Sequence, residues 1–284
     1  MAIATELWPL IDQVIGAVAA SYEATRDAIE RFERGSGQIV ARLLLAGQDA
    51  VPEAGRAGLE LAEGYDVLAL AVGPTADQQT AQTASQQVAG RRKLLRVFSA
   101  MDRHGPPGVL LVLEPDSGHV LVPRAEERAG VDRRRCEAVL GLIEGAAGAE
   151  VIAGCREART RVDVAAAAAQ ATEILRVARA AGLGPGLHGI EAVALDYQVS
   201  RPGPAREALA GVLDPLQRHP ELVRTVETLL AKDGDRGRTA RALGVHPNTI
   251  NNRLVRITEL LGMDPTTTRG VVLLSAALGA RRIG

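Results

Sequence analysis

The sequence predicts an α+β protein: N-terminal helices, a ferredoxin-like or cyclase-palm middle domain, and an all-α carboxyl-terminal domain carrying a helix–turn–helix. Three observations predict it. Between Gly64 and Ser200, short apolar runs alternate with stretches of helical period. Arg201-Pro202-Gly203-Pro204 then breaks the chain as a linker would. Everything beyond it is helical in pattern. A chain of 284 residues has room for about two domains of ~100–200 residues. The boundaries read as 1–63 for the N-terminal helical region, 64–200 for the palm and 205–284 for the terminal domain.

Residues 5–34 read as one long helix, with Leu7, Leu10, Ile11, Val14, Ile15, Val18, Tyr22, Ile29 and Phe32 recurring at threes and fours. Gly35-Ser36-Gly37 ends it. A helix from Gln38 to Ala46 and another near Glu53 to Glu63 follow. The apolar face of the long helix needs a cover, which either the body or a second copy of the chain supplies.

Val67 to Val72, bounded by Gly64 and Gly73-Pro74, reads as a strand. A helix over roughly Gln78 to Arg103 comes next and stops at Gly105-Pro106-Pro107-Gly108. Val109 to Leu113 and His119 to Val122 form strands around the turn Pro115-Asp116-Ser117-Gly118. A helix (Arg133 to Glu144), a strand (Val151 to Ala153), an Ala-rich helix (Val162 to Ala181) and a strand (Ala192 to Tyr197) complete the series. The order β-α-β-β-α-β-α-β implies a sheet with helices on one face. After the linker, helices are expected at about 206–218, 220–231, 236–243, 247–261 and 267–281.

Hydrophobic residues make up 46% and charged residues 24%, enough for a core without disulfides or metal. Cys136 and Cys155 have no Cys or His at ligand spacing and read as small buried apolar residues. No apolar run reaches the ~18 residues of a membrane span, and no signal peptide is evident, so the expected location is cytoplasmic, with no membrane partner. The net charge of −1 hides an asymmetry. From Leu222 onward, ten basic residues face five acids, giving +5 and leaving −6 for the remainder. A basic terminal domain on an acidic body suggests a polyanion partner for that end alone.

Enzymatic signals are weak. Gly184-Pro185-Gly186-Leu187-His188-Gly189 spells G-x-G-x-x-G, but it follows a helix and precedes a strand, the reverse of what a dinucleotide loop needs. It reads as a helix C-cap and loop. No P-loop and no Ser-His-Asp or Cys-His grouping stands out, and the five His are scattered. No catalytic residue, metal ligand or cofactor site is assigned. A nucleotide cyclase would need metal-binding acids in the hairpin after the second strand. The turn carries only Glu114 and Asp116, with no Gly-Gly-acid signature, so the palm is expected to be non-catalytic. A nucleotide-binding or nucleotide-cyclising protein is the alternative reading.

The stretch TARALGVHPNTINNRL, 239–254, is more specific. Asp235 suits the N-cap of a helix over Arg236 to Leu243. Gly244 supplies the turn, and Pro247 suits the first turn of the next helix. That helix buries Ile250, Leu254, Ile257 and Leu261 and leaves Asn248, Thr249, Asn251, Asn252, Arg253 and Arg256 outward. Amide and guanidinium groups on a helix in a major groove can read base edges: Asn pairs with adenine N6 and N7, Arg with guanine, and Thr meets a thymine methyl.

These residues resemble a known family. The run from Leu229-Leu230-Ala231 through Thr239-Ala240-Arg241-Ala242-Leu243-Gly244-Val245-His246-Pro247-Asn248-Thr249-Ile250 to Arg253-Leu254-Val255-Arg256-Ile257 is similar to the carboxyl-terminal helix–turn–helix of PucR/CdaR-type bacterial transcriptional regulators. The resemblance covers about the last sixty residues strongly. The middle domain resembles that family's degenerate GGDEF-like palm by element order, and Gln38 to Val72 resembles the segment leading into it. The resemblance implies a DNA-binding regulator and places His246, Asn248, Thr249, Asn252 and Arg253 near DNA. It puts Arg238, Thr239 and Arg256 on phosphate. Where many relatives have an Arg-aromatic pair, this chain has Asn251-Asn252, whose shorter contacts should lean toward adenine. The implied partners are double-stranded DNA, a second copy of the chain in a homodimer or larger assembly, and a small-molecule effector of unknown identity.

Overall fold

The computed structural model describes residues 35–75, 83–124 and 130–282. The long helix expected over 5–34 and the start of the one expected from Gln78 lie outside them. The described residues form two compact units. One runs up to Leu175 and takes in Gly184–Gly189; the other holds Arg176–Leu183 and the chain from Ile190 onward.

The first unit is built from α1 (Ser36–Leu45), α2 (Val51–Ala57), β1 (Tyr65–Val72), α3 (Thr83–His104), β2 (Leu110–Leu113), β3 (Ser117–Pro123), α4 (Arg133–Ala147), β4 (Val151–Ala158), the part of α5 (Val164–Ala180) up to Leu175, and β5 (Gly186–His188). The strands lie in the order β2-β3-β1-β4-β5. β1 pairs antiparallel with both β3 and β4, and β5 joins β4 in parallel. Leu68 of β1 thus stands opposite Val120 on one side and Cys155 on the other.

Both faces of this sheet are covered, which corrects the one-faced arrangement expected from element order. Leu68, Leu70, Val120, Val122, Ala153 and Cys155 pack with Val97 and Phe98 of α3 and Val139, Leu140 and Ile143 of α4. Alternate positions on the strands point the other way. There Tyr65, Val67, Leu121 and Ala158 pack with Val40 and Leu44 of α1, Ala54 of α2, and Val164, Ala167 and Ala168 of α5. The unbroken apolar run of β1 is the pattern of a strand buried on both faces. Gly154 lets α5 lie close to the sheet: a Cβ there would sit 2.2 Å from the Ala171 carbonyl oxygen and 2.6 Å from the Leu175 nitrogen.

Two other expectations change. The strand expected over Ala192 to Tyr197 is helix α6 (Ile190–Ser200), in the second unit. The last strand falls instead inside the Gly-rich stretch read as a loop, where Leu187 is buried against the sheet. The helix expected to reach Glu63 ends at Gly58, which adopts φ 66°.

Charged groups inside the first unit are paired. Asp66, 1% exposed, forms an ion pair with Arg124 and accepts from the Asp132 N–H at 2.8 Å. Arg124 also reaches Glu157 at 3.3 Å. Burial pushes the Asp66 carboxyl above its ordinary range, against the pull of the Asp132 amide and Arg124. Burial also pushes the nearby Cys136 thiol far up, which suits an inert core residue, and both cysteines are buried and outside any disulfide.

The second unit continues with α7 (Pro204–Gly211), α8 (Pro220–Ala231), α9 (Arg236–Leu243), α10 (Pro247–Leu261) and α11 (Thr268–Arg282). Its core joins Leu213, Leu216, Leu222, Val226 and Leu229 to Ala240, Ile250, Leu254, Ile257, Leu274 and Ala277. No helix among the described residues is long and apolar enough to cross a membrane.

Candidate nucleic-acid interface

The site is set by the caps of two short helices. Asp233, with φ 56°, and Gly234, with φ 77°, turn the chain out of α8. Asp235 then caps α9: its carboxylate accepts from the Arg238 N–H at 2.8 Å and from Arg238 Nε at 3.1 Å. These bonds, the backbone one first, hold Asp235 below the usual carboxylate range. Gly244, at φ 65°, ends α9 in the left-handed conformation that favours glycine. His246 caps α10, its Nδ1 accepting from the Asn248 N–H at 3.2 Å, and Pro247 fills the first helical position.

α10 has a dry side and a wet side. Ile250 and Ile257 are 0% exposed and Leu254 is 5% exposed, spaced as the sequence predicts. Asn248, Asn251, Asn252 and Arg256 are exposed, as is His246 at the cap. Thr249 and Arg253 are half-buried on the flank. The outer row also carries Val255, 60% exposed and three residues beyond Asn252, which sequence reasoning passed over.

The predicted residues are not equally available. Thr239 does not stand on the surface: it is 0% exposed and its hydroxyl donates to the Asp235 carbonyl at 2.7 Å. The phosphate role that the resemblance implied for it is therefore corrected, because its only polar side-chain atom is buried and spent on the backbone. Arg253 Nη1 donates to Thr225 Oγ1 on α8 at 3.2 Å, and that hydroxyl in turn donates to the Glu221 carbonyl at 2.6 Å. Arg238 pairs with Asp235 and, at 3.5 Å, with Asp233. Arg256 pairs with Glu259 at 2.8 Å. Arg236 Nη1 donates to Asn251 Oδ1 at 3.2 Å. No local period connects Arg236 with Asn251, so only the packed helices disclose that contact.

Residues 222–280 match the PucR C-terminal helix-turn-helix domain. The terminal domain is thus similar to a PucR-type helix–turn–helix. It is also similar to segments of uncharacterized proteins from Mycobacterium tuberculosis and Mycobacterium bovis, 43% identical over 58 residues, which are 20% of this chain and 14% of each relative. The chain thus matches about a seventh of the length of these relatives. A solved structure, the regulator of polyketide synthase expression from Bifidobacterium adolescentis, aligns over 87% of this chain and 92% of its own with 21% identity and a TM-score of 0.34. Within the matched residues, α9 and α10 are successive helices joined by a turn at Gly244-Val245.

Proposed function

We propose that the protein is a sequence-specific DNA-binding transcriptional regulator. The PucR-type domain reads DNA, and the sheet-containing unit is a non-catalytic, GGDEF-like palm that serves assembly and regulation. The observation that carries this reading is the division of α10. Its Ile250-Leu254-Ile257 side is sealed in the core while Asn248, Asn252 and Arg256 face solvent beside a His246 cap. Such a helix can enter a major groove with its amides toward base edges and its N-terminus toward phosphate. The net +5 of the terminal stretch favours the same partner. One motif makes few base contacts, so the protein acts as a homodimer or larger, on half-sites about 10 bp apart or a multiple of that.

The hairpin supports the non-catalytic reading of the palm. Asp116 in the β2–β3 turn is bound by Lys93 Nζ at 3.0 Å, and the same ammonium, 1% exposed, donates to the Gly73 carbonyl at 3.1 Å. A divalent cation at Asp116 would have to compete with a positive charge already in place. Incubation with GTP or ATP and a divalent cation is expected to yield no cyclised product; product formation would overturn this part. The DNA assignment is tested by selection from a randomised duplex pool at moderate salt. Enrichment of a two-fold-related sequence is expected, and an unenriched pool would refute it.

A further inference from the structure

We propose that Arg236 is a specificity-determining positioning residue: it holds the Asn251 amide so that Asn251 presents only N–H donors and favours the acceptor edges of guanine or thymine over adenine. This rests on the assignment of α10 as the helix that reads DNA.

Arg236 opens α9, and Asn251 lies in the second turn of α10. A guanidinium can only donate hydrogen bonds. The contact at 3.2 Å therefore has one chemically consistent arrangement, with Asn251 Oδ1 toward Arg236 and Nδ2 turned away. The Asp264 carboxylate of the α10–α11 turn lies within electrostatic reach of Arg236. That carboxyl is held below its ordinary range first by the Thr266 hydroxyl, then by the Thr266 amide, with Arg236 adding an attractive charge. The bond from Arg236 thus biases the orientation of the Asn251 amide.

The consequence follows from the pattern of base edges. Bidentate recognition of adenine needs the amide oxygen to accept from N6 while the nitrogen donates to N7. With its oxygen engaged by Arg236, Asn251 keeps two N–H donors. Guanine offers those donors two acceptors, O6 and N7, and thymine offers O4, whereas adenine offers N7 alone and sets its own N6 donor against the second N–H. Among the described residues, no hydrogen bond engages the amide of its neighbour Asn252, which keeps the bidentate adenine option. Two adjacent, chemically identical residues are given different base preferences by what lies behind them.

The experiment compares sequence selection by the full-length wild type, Arg236→Met and Asn251→Ala, with melting temperature as a folding control. Asn251→Ala locates the base position that Asn251 reads, as the one whose preference disappears. In the wild type that position is expected to favour guanine or thymine. Arg236→Met frees the amide oxygen and is expected to raise the adenine-to-guanine ratio there roughly tenfold. Loss of a phosphate contact alone would weaken all sequences evenly and leave the ratio unmoved. A wild-type preference for adenine at that position, or a ratio unchanged in Arg236→Met, overturns the proposal while leaving the DNA-reading assignment intact. If no protein enriches any sequence, the assignment beneath it fails as well.

Discussion

Asp235 shows how much of the interface depends on one side chain. Its carboxylate caps α9 and orients Arg238, and those bonds lower its pKa. A carboxyl held below its unfolded-state value contributes stability above that value, near pH 3.9. The contribution is lost as the pH falls through the lowered, folded-state value. Asn caps helices as well as Asp does but does not titrate. In urea titrations, the gap in midpoint between wild type and Asp235→Asn should be constant above about pH 4 and should narrow on acidification. A gap independent of pH down to strongly acid conditions would show that the cap charge does nothing. At the reading face, Asn252→Ala should cost about 1–3 kcal/mol toward the selected sequence and far less toward random duplex. Fluorescence titrations with both duplexes measure that difference. Equal losses on both would mean that Asn252 touches only the backbone.

At the scale of elements, close approach governs what fits. Gly154 of β4 faces the backbone of α5, and neither the Ala171 carbonyl nor the Leu175 amide can swing away as a flexible side chain would. Gly154→Ala should therefore destabilise the protein by about 1–3 kcal/mol, read as a fall in melting temperature. An unchanged melting temperature would mean that α5 shifts without cost. In α10 the same reasoning concerns a hole instead of a clash. Ile257 is 0% exposed in the core shared by α8, α9, α10 and α11. Ile257→Ala should cost about 2–5 kcal/mol in denaturant titration, and DNA affinity should fall only as folding does.

For the molecule as a whole, charge is divided along the chain. The +5 at the terminal end sits against −6 elsewhere, so the proposed attraction to DNA rests on one end of the sequence. Binding should weaken steeply with salt, in proportion to the phosphates neutralised. Arg256→Ala removes one exposed guanidinium beside the reading face. Its loss should lower the slope of log affinity against log salt by about 1 without changing the selected sequence. A changed sequence with an unchanged slope would place Arg256 on a base instead.

Much of this was legible in the residues alone. The 3.6-residue period with Asp235, Gly244 and Pro247 located α9 and α10, because caps and apolar spacing are local properties of the chain. The strands β1 to β4 were legible for the same reason. Ala192 to Tyr197 misled because its alternation of small and large apolar residues fits a strand and a short helix equally well. The resemblance put Thr239 on phosphate, whereas its hydroxyl closes on the Asp235 carbonyl one turn back. The sequence by itself determined which helix has a dry side and which residues can stand opposite it. Only the tertiary structure decided which of those polar groups are already spent on another helix: Arg253 on Thr225 and Asn251 on Arg236. Periodicity reports which face a residue lies on, whereas a hydrogen bond between separate helices depends on their packing, which no local pattern encodes.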